Sequence, residues 1–476
     1  MGTIVETFAD FTLDTTFDAL PTAVVSECKR IVLDSIACAV AAIDEPKGRA
    51  GIAYARGMLA GAPAAPKATI WGTGEQVSPL GAAWANGELI NALDMDAMLP
   101  PTGHVTPYVL PGAVAEAEAR GASGRDLITA IALSHEMSGR FGKCMDSLRD
   151  TKDGKVDPPP VFGYSSTVFG ATAAIARMRG LDRKTTEHAL GIAGCIAPVN
   201  SQTAWFQHAP SSTIKYLLAG ALVQAAFSAS YMAEYGHTGD RMVLDDAEFG
   251  FPRFIGSRRW APGPLTEGLG DDWTFLQNQG YKPYPHCRIL HALLDCLIEI
   301  VEREDLKPDE IAHVKVLVEG FVEQPVWLNR EITNVHDAQF SIAHGIALGA
   351  HRLPPGRAWQ DPAHVFDPSV LALMDRVEHQ VHPDYVQLLT GNAASRPARI
   401  EVTARGQVFT GEKRYPKGAP SPDPASFMTD DELIAKFRGL CEGALPPSRI
   451  EAVIDGVMTL EDCADVSTLL RTLGPR

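Results

Sequence analysis

Apolar residues recur at intervals of three and four through most of the first 240 positions, the spacing that lines one face of an α-helix. This pattern predicts a helix over 22–43, launched by Pro21, and another over 127–141. Ser123 is the candidate N-cap of the second, with Asp126 three residues on. Further helices are predicted over 165–179, 183–197 and 211–235. The small-residue run Gly170-Ala171-Thr172-Ala173-Ala174 predicts helices that approach closely. Period-two alternation is not sustained anywhere in this half, which therefore reads as all-α.

The pattern changes after about residue 255. Gly and Pro recur over 257–272, as in a linker or crossover. Beyond it, helical segments over 286–304 and 338–350 mix with an alternating strand over 313–319. The runs 399–403 and 407–413 read as a hairpin turning at Arg405-Gly406. Helical spacing returns over 429–441 and 448–470. The expected architecture is mainly α. A large all-α domain comprises 1–265 with 410–476, and a smaller inserted α+β domain covers 266–409.

The 476 residues are enough for about two to four domains at ~100–200 residues each. Lys+Arg 42 against Asp+Glu 58 gives a net charge of −16, which argues against a nucleic-acid or anionic-membrane partner, since both need a basic face. The eight cysteines show no CxxC spacing and no clustering with histidines, which argues against structural zinc or iron–sulfur sites. Scattered cysteines suggest a reducing compartment, and the first residues lack the basic and apolar regions of a signal peptide, so a cytoplasmic location is expected. The most apolar stretches are interrupted by Asp34 and Gln224 and read as buried helices, not membrane spans.

Two segments carry candidate chemistry. In the first, a helix beginning near Asn86-Gly87 runs into a Pro- and Gly-containing loop with Asp94 and Asp96, ending at His104. A loop anchored by rigid helices is a good place for a proton-transfer pair. The same two aspartates have the look of a metal pair in an all-α enzyme. That alternative needs a second acidic cluster, and Asp245-Asp246-Ala247-Glu248 is the only candidate. The second segment, Gly280-Tyr281-Lys282-Pro283-Tyr284-Pro285-His286-Cys287-Arg288, has an extended Pro-fixed backbone leading into a helix start. With Lys282, His286 and Arg288 nearby it forms a candidate anion site. Cys287 alone reads as a small buried residue rather than a nucleophile.

These segments resemble the MmgE/PrpD family, which includes 2-methylcitrate dehydratases, cis-aconitate decarboxylase and iminodisuccinate epimerase. Asn86-Gly87, Asp94-Met95-Asp96 and His104 match its first block; Lys282, Tyr284, Pro285 and Cys287, with His291 beyond, match its later K-x-Y/F-P-x-C/H block. The 168–174 helix and Ala338-Gln339-Phe340-Ser341-Ile342 are similar to two more blocks, in the same order. The resemblance implies a helical domain built from both chain ends, an inserted α+β lid, a homodimer, and catalysis without metal or organic cofactor. The implied reaction is proton removal next to a carboxylate in a small organic acid, giving dehydration, decarboxylation or epimerisation: a lyase or an isomerase. On this resemblance Asp94, His104, Lys282 and His344 are the candidate catalytic residues, and Asp96, Tyr284, Cys287, Arg288 and His208 the candidate substrate contacts.

The chain also departs from the family pattern. Val161 stands where a histidine is usual, and no lysine appears near Trp205-Phe206 until Lys215. His344 stands for a usual tyrosine, and Ala97 and Met98 for Asp and Thr. These changes imply a less cationic, more apolar pocket than a tricarboxylate needs. They motivate a second reading, a catalytically altered or inactive member serving as a binding or structural subunit.

Overall fold

The computed structural model describes residues 2–147, 149–159, 163–199 and 203–474. Helices Thr22–Ala41, Pro79–Ala92, Thr106–Arg120, Gly124–Cys144, Thr167–Arg179, Arg183–Ile196 and Ala219–Glu234 pack side by side as the body of the protein. Ser123 caps the 124–144 helix as its sequence predicts, its hydroxyl accepting from the Asp126 amide at 3.2 Å. The small residues do bring helices together: a Cβ on Gly170 would sit 2.4 Å from the Ser134 carbonyl oxygen. The C-terminal helix Asp430–Cys441 returns to lie along Thr22–Ala41, so both chain ends build the same body.

The sheet lies in the second half. Its order is Val377–Val381, Ile311–Val318, Ala398–Ala404, Gln407–Lys413, with the first pair parallel and the other two antiparallel. Val316 pairs with Ile400, and Val402 with Phe409. Val314, Val316 and Val318 are fully buried on the face covered by the helix His291–Arg303 and its neighbours, which is why this strand alternates in sequence. The parallel pair needs a crossover, and residues 319–376, with the helix Ile342–Gly349, supply it. The fold is thus mainly α with a smaller α+β unit, as the periodicity implies.

Several expectations need correction in detail. The first half is not wholly α: Ala68–Ile70 pairs with Glu75–Val77, and Thr151–Lys152 with Lys155–Val156. Three-residue and two-residue strands are too short to show as alternation. The last strand, Gln407–Lys413, is the one the alternation predicts, and it runs past the expected domain boundary at 409–410. The helix expected over 211–235 begins only at Ala219, because Lys215 takes φ +53, a left-handed conformation that ends helical propagation. Among the described residues, no helix is long and apolar enough to cross a membrane.

Candidate active site

The helix Pro79–Ala92 ends at the loop that carries the candidate acids. Asp94 itself adopts φ +53, a conformation that aspartate tolerates better than most residues because its short side chain bonds locally. Leu99 and Gly103 exchange backbone hydrogen bonds of 2.7 and 3.0 Å, closing the loop on itself and presenting His104. A second exchange, Met98 with Gly280 at 2.8 Å in both directions, ties this loop to the segment nearly two hundred residues later. That bridge delivers Lys282 to Asp94.

The result is a buried charge cluster. Lys282 Nζ lies 2.6 Å from Asp94 Oδ2, and Lys215 Nζ 3.6 Å from Asp94 Oδ1. The Tyr216 hydroxyl donates to Asp94 Oδ1 at 2.8 Å. His104 Nδ1 donates to Asp96 Oδ2 at 2.7 Å, and its Nε2 stands 3.8 Å from Asp94 Oδ1. Its ring stacks on Tyr216 with centroids 4.4 Å apart. Asn91 donates to the other Asp96 oxygen at 3.1 Å and accepts from Lys47 at 3.0 Å. Lys436 comes from the C-terminal helix to pair with Asp34 at 2.6 Å and to hold the Met95 carbonyl at 2.8 Å.

Burial alone would raise the Asp94 carboxyl, but Lys282, Lys215 and His104 outweigh it and hold the group well below the usual carboxylate range. Asp96 is treated the same way: burial raises it, and His104 more than compensates. Lys215 is pulled down to about 8 by burial, with Lys47 and Lys282 adding to the effect and Asp94 opposing it. The partner on Nδ1 fixes the His104 tautomer, leaving Nε2 as the basic nitrogen.

His104, Tyr164 and Tyr216 form one side of an inner cavity of about 70 Å³. Trp205, Phe206, Phe321 and Trp327 form an aromatic wall, and Cys287, Arg288, Arg149 and Arg396 complete it. An outer cavity of about 310 Å³ adjoins it, sharing Met98, Arg149, Tyr164 and Arg396 and opening past Pro100, Thr102 and Asn278. The inner cavity therefore lies between the helical body and the α+β unit, with an approach from outside.

Asp94, Asp96, His104 and Lys282 converge in one cluster, from which His104 reaches the cavity, and Cys287 and Arg288 line the wall. The Cys287 thiol is pushed up to about 11 by burial and by Asp94, so it is no thiolate nucleophile at neutral pH. Three other candidates lie elsewhere. The Tyr284 hydroxyl donates to Asp295 at 2.9 Å and its ring stacks on Trp359. His208 is exposed. The His344 ring donates from Nε2 to the Val365 carbonyl at 2.9 Å and does not line the cavity. Val161 lies outside the described residues. The acidic pair proposed as a second metal cluster is spent locally: Asp245 accepts from the Ile4 amide, Asp246 from the amides of Glu248 and Phe249.

The sequence reading missed Lys215, Tyr216, Tyr164, Arg149 and Arg396. Only Lys215 had left a signal, a charge inside an otherwise apolar helical pattern. Lys215 brings a second amine to Asp94 behind the cavity, although it does not line the cavity itself. Arg149 is paired with Glu319 at 2.6 Å, and Arg396 Nη1 donates to the carbonyls of Ala393 and Ser395. Nη1 and Nη2 of Arg288 have no hydrogen-bond partner among the described residues, although the residue is only 7 % exposed. Burial and the nearby Arg149 charge lower its guanidinium to about 10.

A helical body and an α+β unit meeting over a carboxylate–lysine–histidine cluster agree with the comparisons to known proteins. The MmgE/PrpD N-terminal domain matches residues 6–261 and the MmgE/PrpD C-terminal domain residues 284–461. The chain belongs to the MmgE/PrpD family. Among curated relatives, human cis-aconitate decarboxylase is 26 % identical over 425 residues, covering 86 % of this chain and 82 % of that protein. The cis-aconitate decarboxylase of Aspergillus terreus is 24 % identical over 489 residues, covering 96 % of this chain and 93 % of that protein. A cis-aconitate decarboxylase-like protein of Aspergillus oryzae is 25 % identical over 495 residues, with 95 % and 93 % covered.

Proposed function

We propose that the chain is a lyase of the decarboxylase or dehydratase type, working on a small organic acid through an enolate formed next to a carboxylate, with no metal or organic cofactor. The observation that carries this reading is the buried cluster of Asp94, Asp96 and Lys282 directly behind His104, which itself lines the inner cavity. Relatives named as cis-aconitate decarboxylases support the reaction class.

His104 moves the proton. Asp96 holds its Nδ1, so Nε2 presents a lone pair to the substrate carbon or, once protonated, returns the proton. Asp94 is a poor base, since Lys282 and Lys215 keep it ionised; it serves instead to hold Lys282 charged and fixed. Lys282 stands behind Asp94 and not on the cavity surface, so its positive charge reaches the site through the field of that buried cluster. The donors nearest a developing enolate are on the cavity wall itself. Tyr216 and Tyr164 stay neutral, their phenols raised by burial and by the nearby aspartates; Tyr216 gives its one proton to Asp94 and packs its ring on His104. The arginine wall takes the carboxylate. In decarboxylation the C–C bond breaks, carbon dioxide departs and the carbanion takes a proton; in dehydration the proton leaves first and hydroxide follows. Each passes through an enolate of a carboxylate that stays on the substrate, so decarboxylation requires a second carboxylate besides the one that leaves.

The test is a screen of small carboxylic acids for solvent-deuterium incorporation and for release of carbon dioxide or water. The wild type is expected to process at least one, and His104→Ala to lower that rate by about 10²–10⁴-fold. An unchanged rate in His104→Ala would remove it from the chemistry. A homodimer is part of the same proposal, and light scattering at micromolar concentration decides it: a monomer mass overturns it.

A further inference from the structure

Within the lyase reading, we propose that Lys47 and Asn91 are positioning residues that keep Nε2 of His104 free of a proton, and so available as the base. Neither lines the inner or the outer cavity. They stand behind it in a continuous chain of buried side chains. Glu88 Oε2 lies 3.5 Å from Lys47 Nζ, which donates to Asn91 Oδ1 at 3.0 Å. Asn91 Nδ2 donates to Asp96 Oδ1 at 3.1 Å, and Asp96 Oδ2 accepts from His104 Nδ1 at 2.7 Å. All five residues are at most 3 % exposed.

Each link in this chain has one polarity only. An ammonium donates and never accepts, and an ionised carboxylate accepts and never donates. Lys47 at one end and Asp96 at the other therefore fix the Asn91 amide, oxygen to the lysine and nitrogen to the aspartate. The amide in turn holds Asp96 with its other oxygen aimed at Nδ1. Asn91 has a second connection: its backbone carbonyl accepts from Lys215 Nζ at 2.9 Å, so one residue braces both carboxylates that flank the ring. Those carboxylates compete for the imidazole. Asp96 holds Nδ1 at 2.7 Å, and Asp94 Oδ1 stands 3.8 Å from Nε2. If Asp96 turns away, Asp94 draws the ring proton to Nε2. If the Lys47 charge is lost, the carboxylates of Glu88 and Asp96 favour the doubly protonated ring. Either failure puts a proton on Nε2 and removes the base. The other charges facing Asp96 and His104 are balanced without Lys47: Asp94 by Lys282 and Lys215, Asp34 by Lys436. The Tyr164 and Tyr216 phenols and the Cys287 thiol beside them are neutral.

The experiment is heteronuclear NMR of the imidazole nitrogens in the full-length protein at pH 8, with His104→Ala assigning the His104 signals. In the wild type, Nε2 is expected to be the unprotonated nitrogen. Two variants probe the chain. Lys47→Met removes the charge; Asn91→Asp is isosteric, keeps an acceptor for Lys47 and removes the N–H to Asp96. Each should raise the fraction of rings protonated at Nε2 by about fivefold or more. Should Lys47→Met fail to fold, Asn91→Asp carries the test. Nε2 left bare in the variants overturns the inference even if they are less stable, as does a wild type already protonated there. On any acid that the screen finds, kcat should fall by about fivefold or more with KM within about twofold, since neither residue reaches the cavity. Failure here is separable from failure of the lyase reading. Nε2 unchanged in the variants, with His104→Ala inactive, rejects this inference alone. Nε2 protonated in the variants, with no acid processed by the wild type, rejects the lyase reading alone.

Discussion

The two walls of the inner cavity handle buried charge in opposite ways. On the His104 side each ionised group has a partner: Asp94 has two lysines and a tyrosine, and Asp96 has His104 and Asn91. On the Arg288 side a guanidinium just as deeply enclosed has nothing on its terminal nitrogens among the described residues. A finished network holds reacting groups in place before substrate arrives; an unfinished one is completed by the substrate. The first is where fixed geometry serves catalysis, and the second is where binding energy is gained.

The contrast breaks most visibly if the two sides are neutralised one at a time. Asp94→Asn keeps the shape, and asparagine tolerates the φ of +53, so the change reads charge rather than backbone strain. It leaves Lys282 and Lys215 buried without their shared counter-charge. The expected loss is about 3–5 kcal/mol of stability by chemical denaturation, together with activity. A loss under about 1 kcal/mol would mean that the cluster is wetter or looser than its distances state. Arg288→Met should act with the opposite sign. Removing an unpaired buried charge is expected to raise the stability of the ligand-free protein by about 1–2 kcal/mol while weakening substrate binding. Saturating ligand should close the gap, since only the wild type gains from it.

The pH dependence sharpens the same contrast. Burial brings Lys215 down to about 8, so its charge beside Asp94 is present below that pH and fades above it. kcat/KM is expected to fall as pH rises through about 8, and Lys215→Met should remove that limb. Stability must move the other way for this group. An unfolded lysine titrates near ~10.4, so between about 8 and about 10 the unfolded chain binds more protons than the folded one. The contribution of Lys215 to stability therefore rises with pH across that window. Wild type and Lys215→Met compared at pH 7 and pH 9.5 should diverge in these opposite directions; parallel trends in both measurements would remove Lys215 from the cluster's electrostatics.

The sequence was informative where local pattern suffices and silent where distant segments meet. Helical spacing and strand alternation gave the body and the sheet, because packing faces impose those periods. The 94–104 loop and the Lys282 segment were legible as chemistry through their residue types and their family resemblance. The Met98–Gly280 bridge that joins them has no local signature, since any two backbones make it. Lys215 was read as helix because the surrounding residues are apolar at helical spacing; the left-handed turn at that residue interrupts the pattern to place an amine beside Asp94. Arg149 and Arg396 lay in stretches with no motif, and only the fold shows that they share a wall with Arg288. His344 and His208 stand away from the cavity for the converse reason: residue type suggested chemistry, and the fold sets one on the Val365 carbonyl and leaves the other exposed.

The smallest effect is expected at Cys287, which lies between the two walls. Its position in the cavity invites a nucleophilic role, but its thiol is raised to about 11 by burial and by the Asp94 charge. At pH 7 such a group is thiolate in only about one molecule in 10⁴, and alkylation follows the thiolate. Cys195 is exposed and outside the cavity. Iodoacetamide at pH 7 should therefore label Cys195 ahead of Cys287, as read by mass spectrometry of the digested protein, with activity retained while only Cys195 is modified. Early modification of Cys287 with matching loss of turnover would show that the paired side of the cavity does not shield its neighbour, and would return the thiol to the chemistry.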